Sequence, residues 1–255
     1  MILSTKLSVR IADLYFDEQP AKLSADIARY VQWSQPEPSL RARWTAFSTI
    51  VIDLRRPPAL LLSDMAPSTR YEIRRAERDG LTHCVAAQCS PQALNGFCAF
   101  YDQFARLTDL PPANRNRLDV LAASGGLRLS HVQDKSGHVL VRHAYWHAGG
   151  RVRLLHSAAL HKAEPDPGPR AVSGRANRYH IWLDMLTFRE AGFLIFDLGG
   201  RYAGTADVKR LAINRFKNGF GGKIVENFNG LKPLSFKGRM AVWIHDRFGH
   251  GAGYG

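Results

Sequence analysis

The stretch over residues 127–160 does most to limit the folds open to this chain. Three runs of strand-forming residues, 127–133, 139–147 and 151–160, are separated by Lys135-Ser136-Gly137 and by Gly149-Gly150. Loops this short join antiparallel neighbours, so the runs form a meander. The two-residue loop also sets a register: with Ala148 opposite Arg151, His147 faces Val152, Tyr145 faces Leu154 and His143 faces His156. His143, Tyr145 and His156 then share one mostly apolar sheet face. The histidines there are either satisfied residues of a sheet surface or the floor of a catalytic cleft.

The segment after the meander narrows the architecture further. Residues 161–177, "HKAEPDPGPRAVSGRAN", read as a long Pro- and Gly-rich loop, a feature that in compact domains commonly carries function. "RYHIWLDMLTFREAG" is a helix apolar almost all round, stopped at Gly192. "FLIFDLGG" is a continuous apolar run of the kind a buried parallel strand shows. "DVKRLAINRFK" predicts a helix with Val208, Leu211, Ala212 and Phe216 on its apolar side, and "KIVENF" another strand. The order is therefore meander, helix, strand, helix, strand: an α/β fold on a mixed sheet.

Upstream, "PSTRYEIRRAERDG" carries helix signals: Pro67 at the start, Thr69 and Glu72 at capping-box spacing, Gly80 at the end. Arg70, Arg74 and Arg78 line one flank of that helix, as a solvated face or a phosphate-contacting one. Leu94, Phe97, Tyr101, Phe104 and Leu107 repeat at helical spacing and predict a second, longer amphipathic helix. Residues 47–54 form a strand. The expected organisation is an N-terminal extension over 1–65 packed on a core over 66–240, with a tail over 241–255.

The partners are narrowed by charge. Thirty-five Lys and Arg against twenty-two Asp and Glu give a net charge of +13, which favours anionic partners. Fourteen of the basic residues, against six acidic ones, fall from Arg170 onward, so an anion site belongs there. Three cysteines without paired spacing suit a reducing compartment. The first residues lack the unbroken apolar core of a signal peptide, and no stretch approaches a membrane span. The expected location is cytoplasmic, with peripheral contact to an anionic membrane face left open. There is no GxxxxGK[ST] loop, no GxSxG elbow and no Cys/His set at zinc spacing. His245 and His250 lack a third ligand, so no metal is expected. Aromatic residues are not interleaved with the basic ones, which argues against sequence-specific nucleic-acid reading.

Three motifs, "STRYEIRRAERDG", "FDLGG" and "RFKNGFGGKIV", together with the element order, resemble the Fem-like branch of the GNAT acyltransferase superfamily over residues 49–228. The resemblance implies transfer of an acyl or aminoacyl group to an amine. Such a reaction needs a polarised donor carbonyl, a base for the ammonium and a protonated leaving group. In that fold the donor lies where the fourth and fifth core strands splay apart, here 151–160 and 193–198. Its phosphates meet the N-terminus of the intervening helix, here Arg170, Ser173, Gly174, Arg175, Asn177 and Arg178. "RAVSGRA" is one residue longer than the usual coenzyme A loop.

Asp197 ends a buried strand, where ligands of open α/β sheets gather, so it orients the acceptor or acts as base, or else caps the chain leaving the strand. The resemblance assigns a role to the lysine. Lys217 binds phosphate or stabilises the oxyanion, with Phe216 beside it, or is simply a cation at a helix C-terminus. Arg70 and Arg74 join Tyr145 and Phe216 as candidate substrate contacts. The expected function is an N-acyltransferase using an acyl thioester such as acyl-CoA. Its acceptor would be an amine-bearing, phosphorylated or sugar small molecule of envelope or polysaccharide biosynthesis. The alternatives are an aminoacyl-tRNA-dependent aminoacyltransferase and a non-catalytic basic module for RNA or membrane phosphates.

Overall fold

A computed structural model describes residues 1–86, 89–160 and 167–248, with the side chains of 167–170 excepted. Among the described residues the strands are β1 (Ile2–Lys6), β2 (Val9–Tyr15), β3 (Ile27–Trp33), β4 (Arg43–Asp53), β5 (Thr82–Val85), β6 (Leu127–Gln133), β7 (Val139–Ala148), β8 (Arg151–Ala159), β9 (Ile195–Gly200) and β10 (Lys223–Pro233). The helices are α1 (Pro58–Asp64), α2 (Pro67–Asp79), α3 (Pro91–Thr108), α4 (Arg115–Ala123), α5 (Pro167–Glu190), α6 (Val208–Asn218) and α7 (Phe236–Phe248). Two compact units result, Ser48–Val225 and Met1–Phe47 with Glu226–Gly255. Residues 226–248, expected in the core and in a tail, thus belong with the smaller unit, and residues 48–65 with the core and not with an N-terminal extension. Their apolar side chains explain why: Ile50, Ile52, Leu54, Leu61 and Met65 are all buried in the larger unit's main cluster.

In the larger unit the strand order is β4-β9-β8-β7-β6-β5. β6, β7 and β8 form the expected antiparallel meander, and β9 runs parallel to β8 and antiparallel to β4. α5 makes the crossover between β8 and β9. Its Ile181, Met185 and Phe188 pack with Tyr145, Val152 and Phe196 to form the centre of the core. Gly192, at φ +85°, ends the helix: its N–H reaches Arg189, and the Phe193 N–H reaches back to Phe188. Those two bonds satisfy carbonyls that the last turn would otherwise leave open.

Three further departures from the sequence reading concern β8, α5 and α2. First, β8 bulges at Leu155: Tyr145 still faces Leu154, but Ala144 faces His156 and His143 faces Ser157. One extra residue in one strand reverses the facing of everything beyond it. His143 therefore points to α5, while His156 packs on Phe97 and Tyr101 of α3, on the opposite face. Second, α5 begins at Pro167, so residues 167–177 are helix and not loop; positions 161–166 lie outside the described residues. Third, α2 starts one residue after Ala66, with Pro67 in its first turn and no side-chain cap. Thr69 is buried inside the helix, where it cannot serve as N-cap. Gly80 does end α2, at φ +73°.

The smaller unit pairs β1 with β2 as a hairpin, β2 with β3 in parallel and β3 with β10 antiparallel. Tyr30, Trp33 and Trp44 cluster at its core, with ring centroids 4.9 to 5.7 Å apart. Asp13 and Arg29 make a two-pronged ion pair across β2 and β3, at 2.5 and 2.6 Å.

Candidate active site

The sheet opens between β8 and β9. The two strands pair from Arg151 and Ile195 to Arg153 and Asp197, and then part. Asp197 sits at that fork with no solvent exposure. Its Oδ1 accepts from the Thr49 hydroxyl and from the Gly199 N–H at 2.7 Å, and its Oδ2 accepts from Arg151 Nη2 at 2.6 Å and Nε at 3.1 Å. Burial alone would raise its pKa, but Arg151, Arg153 and these hydrogen bonds together hold it below the ordinary carboxylate value. An ionised, four-fold bonded carboxylate has no lone pair to spare for a substrate. Of the readings open to Asp197, the geometry matches the one in which it caps the chain leaving the strand.

Gly199 follows at φ +78°, where a Cβ would stand 2.9 Å from the Leu154 carbonyl oxygen. Only glycine lets β9 turn that close to β8 at that backbone angle. The next carbonyl, Gly200, accepts from Lys217 Nζ at 2.6 Å. Lys217 comes from the last turn of α6, which the buried Asn214 anchors: its amide bonds the Tyr202 carbonyl and its oxygen the Tyr202 N–H. Asn214 replaces the apolar stripe expected of this helix, whose Val208 is largely exposed. Burial pulls the Lys217 pKa down from 10.5 to about 8, with Asp197 opposing and Arg153 reinforcing the shift. Beyond β9 lies a cavity of about 320 Å³ whose wall includes Gly200, Arg201, Tyr202, Arg210 and Asn214. Asp197 and Lys217 flank this end of β9 but do not line that cavity.

From the α5 side, Arg178 lays its guanidinium over Phe216, 5.0 Å from the ring centroid. Its pKa is lowered by burial, against the pull of Glu72. Asn177, one residue earlier, holds His143 Nε2 at 2.9 Å and lies 3.4 Å from the Ser157 hydroxyl. Arg178 and Phe216 thus meet next to Lys217, while Asn177 turns instead to His143 and Ser157. The other residues expected at a phosphate cradle are committed elsewhere. Ser173 is buried, Gly174 gives its carbonyl to Arg178, and Arg175 is paired with Asp79 at 3.2 Å and Glu72 at 4.0 Å. All three lie beyond the four positions at which helix N–H groups are free. The side chain of Arg170 lies outside the described residues. Arg70 donates to the Ser63 carbonyl and Arg74 is exposed, both on the surface of α2.

Behind the fork lies a polar cluster for which motif spacing offers no role. Asp184, on α5, is fully buried and accepts from Tyr145 at 2.6 Å, Ser130 at 3.0 Å and His143 Nδ1 at 2.9 Å, with His83 Nε2 at 2.8 Å. His180 stacks on His143 with centroids 3.7 Å apart and meets Ser130 at 2.8 Å. Burial favours the neutral acid, yet His180, His143 and His83 outweigh it and hold the Asp184 carboxyl far below its ordinary range. Tyr145 is pushed well up by burial and by the carboxylate. Tyr145 is therefore a core residue of this cluster. The sequence does hold one signal for the cluster: His180 and Asp184 are four apart on a helix otherwise too apolar to face water.

His83, His180 and Asp184 bring their ligating atoms within 4.8 Å of one another, a nitrogen-and-oxygen set that suits a divalent transition metal. As they stand, His83 Nε2, His180 Nε2 and both oxygens of Asp184 have hydrogen-bond partners in the cluster, while His180 Nδ1 is buried without one. His156, across the sheet, is lowered to about 4 by burial and by Arg117 and Arg153. His245 is exposed beside Asp246, and His250 lies outside the described residues.

No family model matches the sequence, and no curated protein matches it. Solved structures do. FemX superposes with a TM-score of 0.58 at 14% identity, covering 72% of this chain and 61% of FemX. The C-terminal domain of a putative lysylphosphatidylglycerol synthetase from Agrobacterium fabrum gives 0.53 at 15%, covering 85% of this chain and 71% of that one. L-PGS from Bacillus licheniformis gives 0.53 at 13%, covering 88% and 74%. The chain spans about three fifths of the length of FemX. At such identities the likeness is one of fold: the chain shares the fold of FemX and of these two synthetase structures.

Proposed function

We propose that this protein is a Fem-like acyltransferase that moves an aminoacyl or acyl group from an activated ester onto an amine held at the β8–β9 fork. The observation that carries the reading is the fork itself. β8 loses its partner strand just past Arg153, and a half-buried cation, Lys217, stands at the lip beside Gly200. Backbone N–H groups of β8 that no longer meet β9 are suited to polarise a donor carbonyl. At neutral pH Lys217 carries its charge and holds a phosphate or the developing oxyanion. The acceptor's ammonium loses one proton to solvent, the free amine attacks the carbonyl carbon, and as the C–O bond breaks the second proton shed by nitrogen passes to the departing donor oxygen.

Between donors, the start of α5 favours an aminoacyl ester on tRNA over acyl-CoA. Its first four residues are Pro167-Gly168-Pro169-Arg170, so two of the positions that would offer N–H groups to a diphosphate have none. Arg175 is spent on Asp79 and Glu72. The net charge of +13 suits a polyanionic carrier. An envelope-linked amine, the acceptor class expected from the sequence, is the first to test.

The test supplies the purified protein with charged tRNA or with acyl-CoA, plus amine acceptors, and follows donor consumption. The reading expects charged tRNA to be consumed and Lys217→Met to slow that consumption at least tenfold. Consumption of acyl-CoA alone would restore the thioester reading. Consumption of neither, with tRNA still bound, would favour a non-catalytic basic module.

A further inference from the structure

α7 is turned inside out. Its sequence, "FKGRMAVWIHDRF", places Phe236, Met240, Trp243, Ile244 and Phe248 at i, i+4, i+7, i+8 and i+12, which is one face of a helix. A helix on a globular unit normally turns that face inward. Here the five side chains are 43 to 71% exposed. The side toward the unit carries the small residues: Gly238 is buried, and a Cβ there would overlap the Asp26 carbonyl, while Ala241 and Val242 are half-buried. The helix is thus fixed to its unit by its small side. Ser235 helps, accepting from the Gly238 N–H at 3.0 Å and donating to Asp26 at 2.8 Å.

The charges around the stripe are of one sign. Asp246 is the helix's sole acidic residue, and Arg43 neutralises it with bonds of 2.7 and 3.3 Å. Lys237, Arg239 and Arg247 remain. Arg239 stands over Phe236, 6.0 Å from its centroid, and Arg247 over Trp243 at 5.6 Å, so both cations lie against the exposed rings themselves. Lys237 bonds the Ser8 carbonyl and so ties the helix to the β1–β2 hairpin, whose tip presents Leu7 at 89% exposure beside Lys6.

We propose that α7 and the tip of the β1–β2 hairpin form a docking surface for an anionic lipid bilayer. Aromatic and aliphatic side chains facing out, ringed by cations at the level of the rings, match the boundary between acyl chains and acidic headgroups. A soluble protein partner would need no such belt of like charges around an apolar stripe. The surface lies wholly within the smaller unit and does not depend on the acyltransfer reading.

The test is flotation of the full chain with vesicles of phosphatidylcholine, with and without phosphatidylglycerol, at low and high salt. The expected result is binding that requires phosphatidylglycerol and weakens with salt. Phe236→Ser/Trp243→Ser/Phe248→Ser should cut the partition coefficient by on the order of tenfold or more, with an unchanged melting temperature. Should that variant fold poorly, Arg239→Gln/Arg247→Gln keeps the stripe and should lose binding several-fold. No binding that depends on phosphatidylglycerol would overturn the proposal, as would undiminished binding by both variants. A lipid-free dimer that the triple variant converts to monomer would assign the stripe to a second copy of the chain.

Discussion

Replacing Lys217 by Met tests whether the fork holds a cation against the preference of its surroundings. The amine has a pKa of about 8 in the folded protein, against 10.5 for an ordinary lysine, chiefly because it is buried. Below pH 8 both folded and unfolded chains carry the proton, and the folded state bears the full penalty of a buried charge. Between pH 8 and 10.5 only the unfolded chain keeps it, so this group makes stability rise with pH across that window. At ~1.4 kcal/mol per pH unit the whole effect is roughly 3 kcal/mol, an upper bound because part of the side chain meets water. The assay is urea denaturation of both proteins at steps from pH 7 to 10.5. The difference in unfolding free energy, wild type minus Lys217→Met, should climb by about 2 to 3 kcal/mol across the series. A flat difference would mean the lysine is solvated and has no privileged place at the fork. Donor consumption supplies a second sign: it should fall as pH passes above 8 if the charge is what acts, and rise if the neutral amine acts as base.

Other substitutions carry equally definite expectations. Gly199→Ala sets a Cβ against the Leu154 carbonyl at positive φ and should cost about 1 to 3 kcal/mol by urea denaturation, with donor consumption lowered. Asp197→Asn leaves the Arg151 guanidinium without its ionic partner in the core and should cost about 3 to 5 kcal/mol by the same measure; a cost under 1 kcal/mol would contradict its place as the anchor of the fork. His156 is held neutral down to about pH 4, so it removes stability as pH falls from 6.5 toward 4, where only the unfolded chain takes the proton. His156→Phe should flatten the acid limb of the stability profile by up to about 3 kcal/mol, read from melts at pH 7 and pH 4.5.

The elements that were legible in the sequence are those whose signal is local. The meander announced itself through Gly149-Gly150 and Lys135-Ser136-Gly137, β9 through an unbroken apolar run, and the end of α5 through Gly192. Lys217 stands at the fork through its bond to Gly200, and Phe216 beside it is covered by Arg178. What sequence could not carry was anything set by packing across the sheet. The bulge at Leu155 leaves no mark in a period-two pattern, because His156 and Ser157 are each plausible on either face. The start of α5 was obscured by Pro167, Gly168 and Pro169, which read as loop yet are tolerated in the first turn of a helix, where N–H groups have no partner in any case. Asp197 ends a strand as a substrate-binding carboxylate would. Its confinement by Thr49 and Arg151 depends on residues 148 and 46 positions away.

Asp184 has a consequence for the order in which the chain assembles. Its partners His83, Ser130, His143 and Tyr145 lie 101, 54, 41 and 39 positions earlier in the sequence. No local segment can supply them, so this carboxylate must stay hydrated until three strands of the sheet and α5 have met. Contacts of such separation form late, after the loop closures they require. Substituting Asn for Asp184 should therefore speed unfolding far more than it slows folding. The buried centre of the larger unit then acts as a latch closed last, and a chevron plot of that variant should show its unfolding limb raised with the folding limb nearly unmoved; an equal slowing of folding would refute this order.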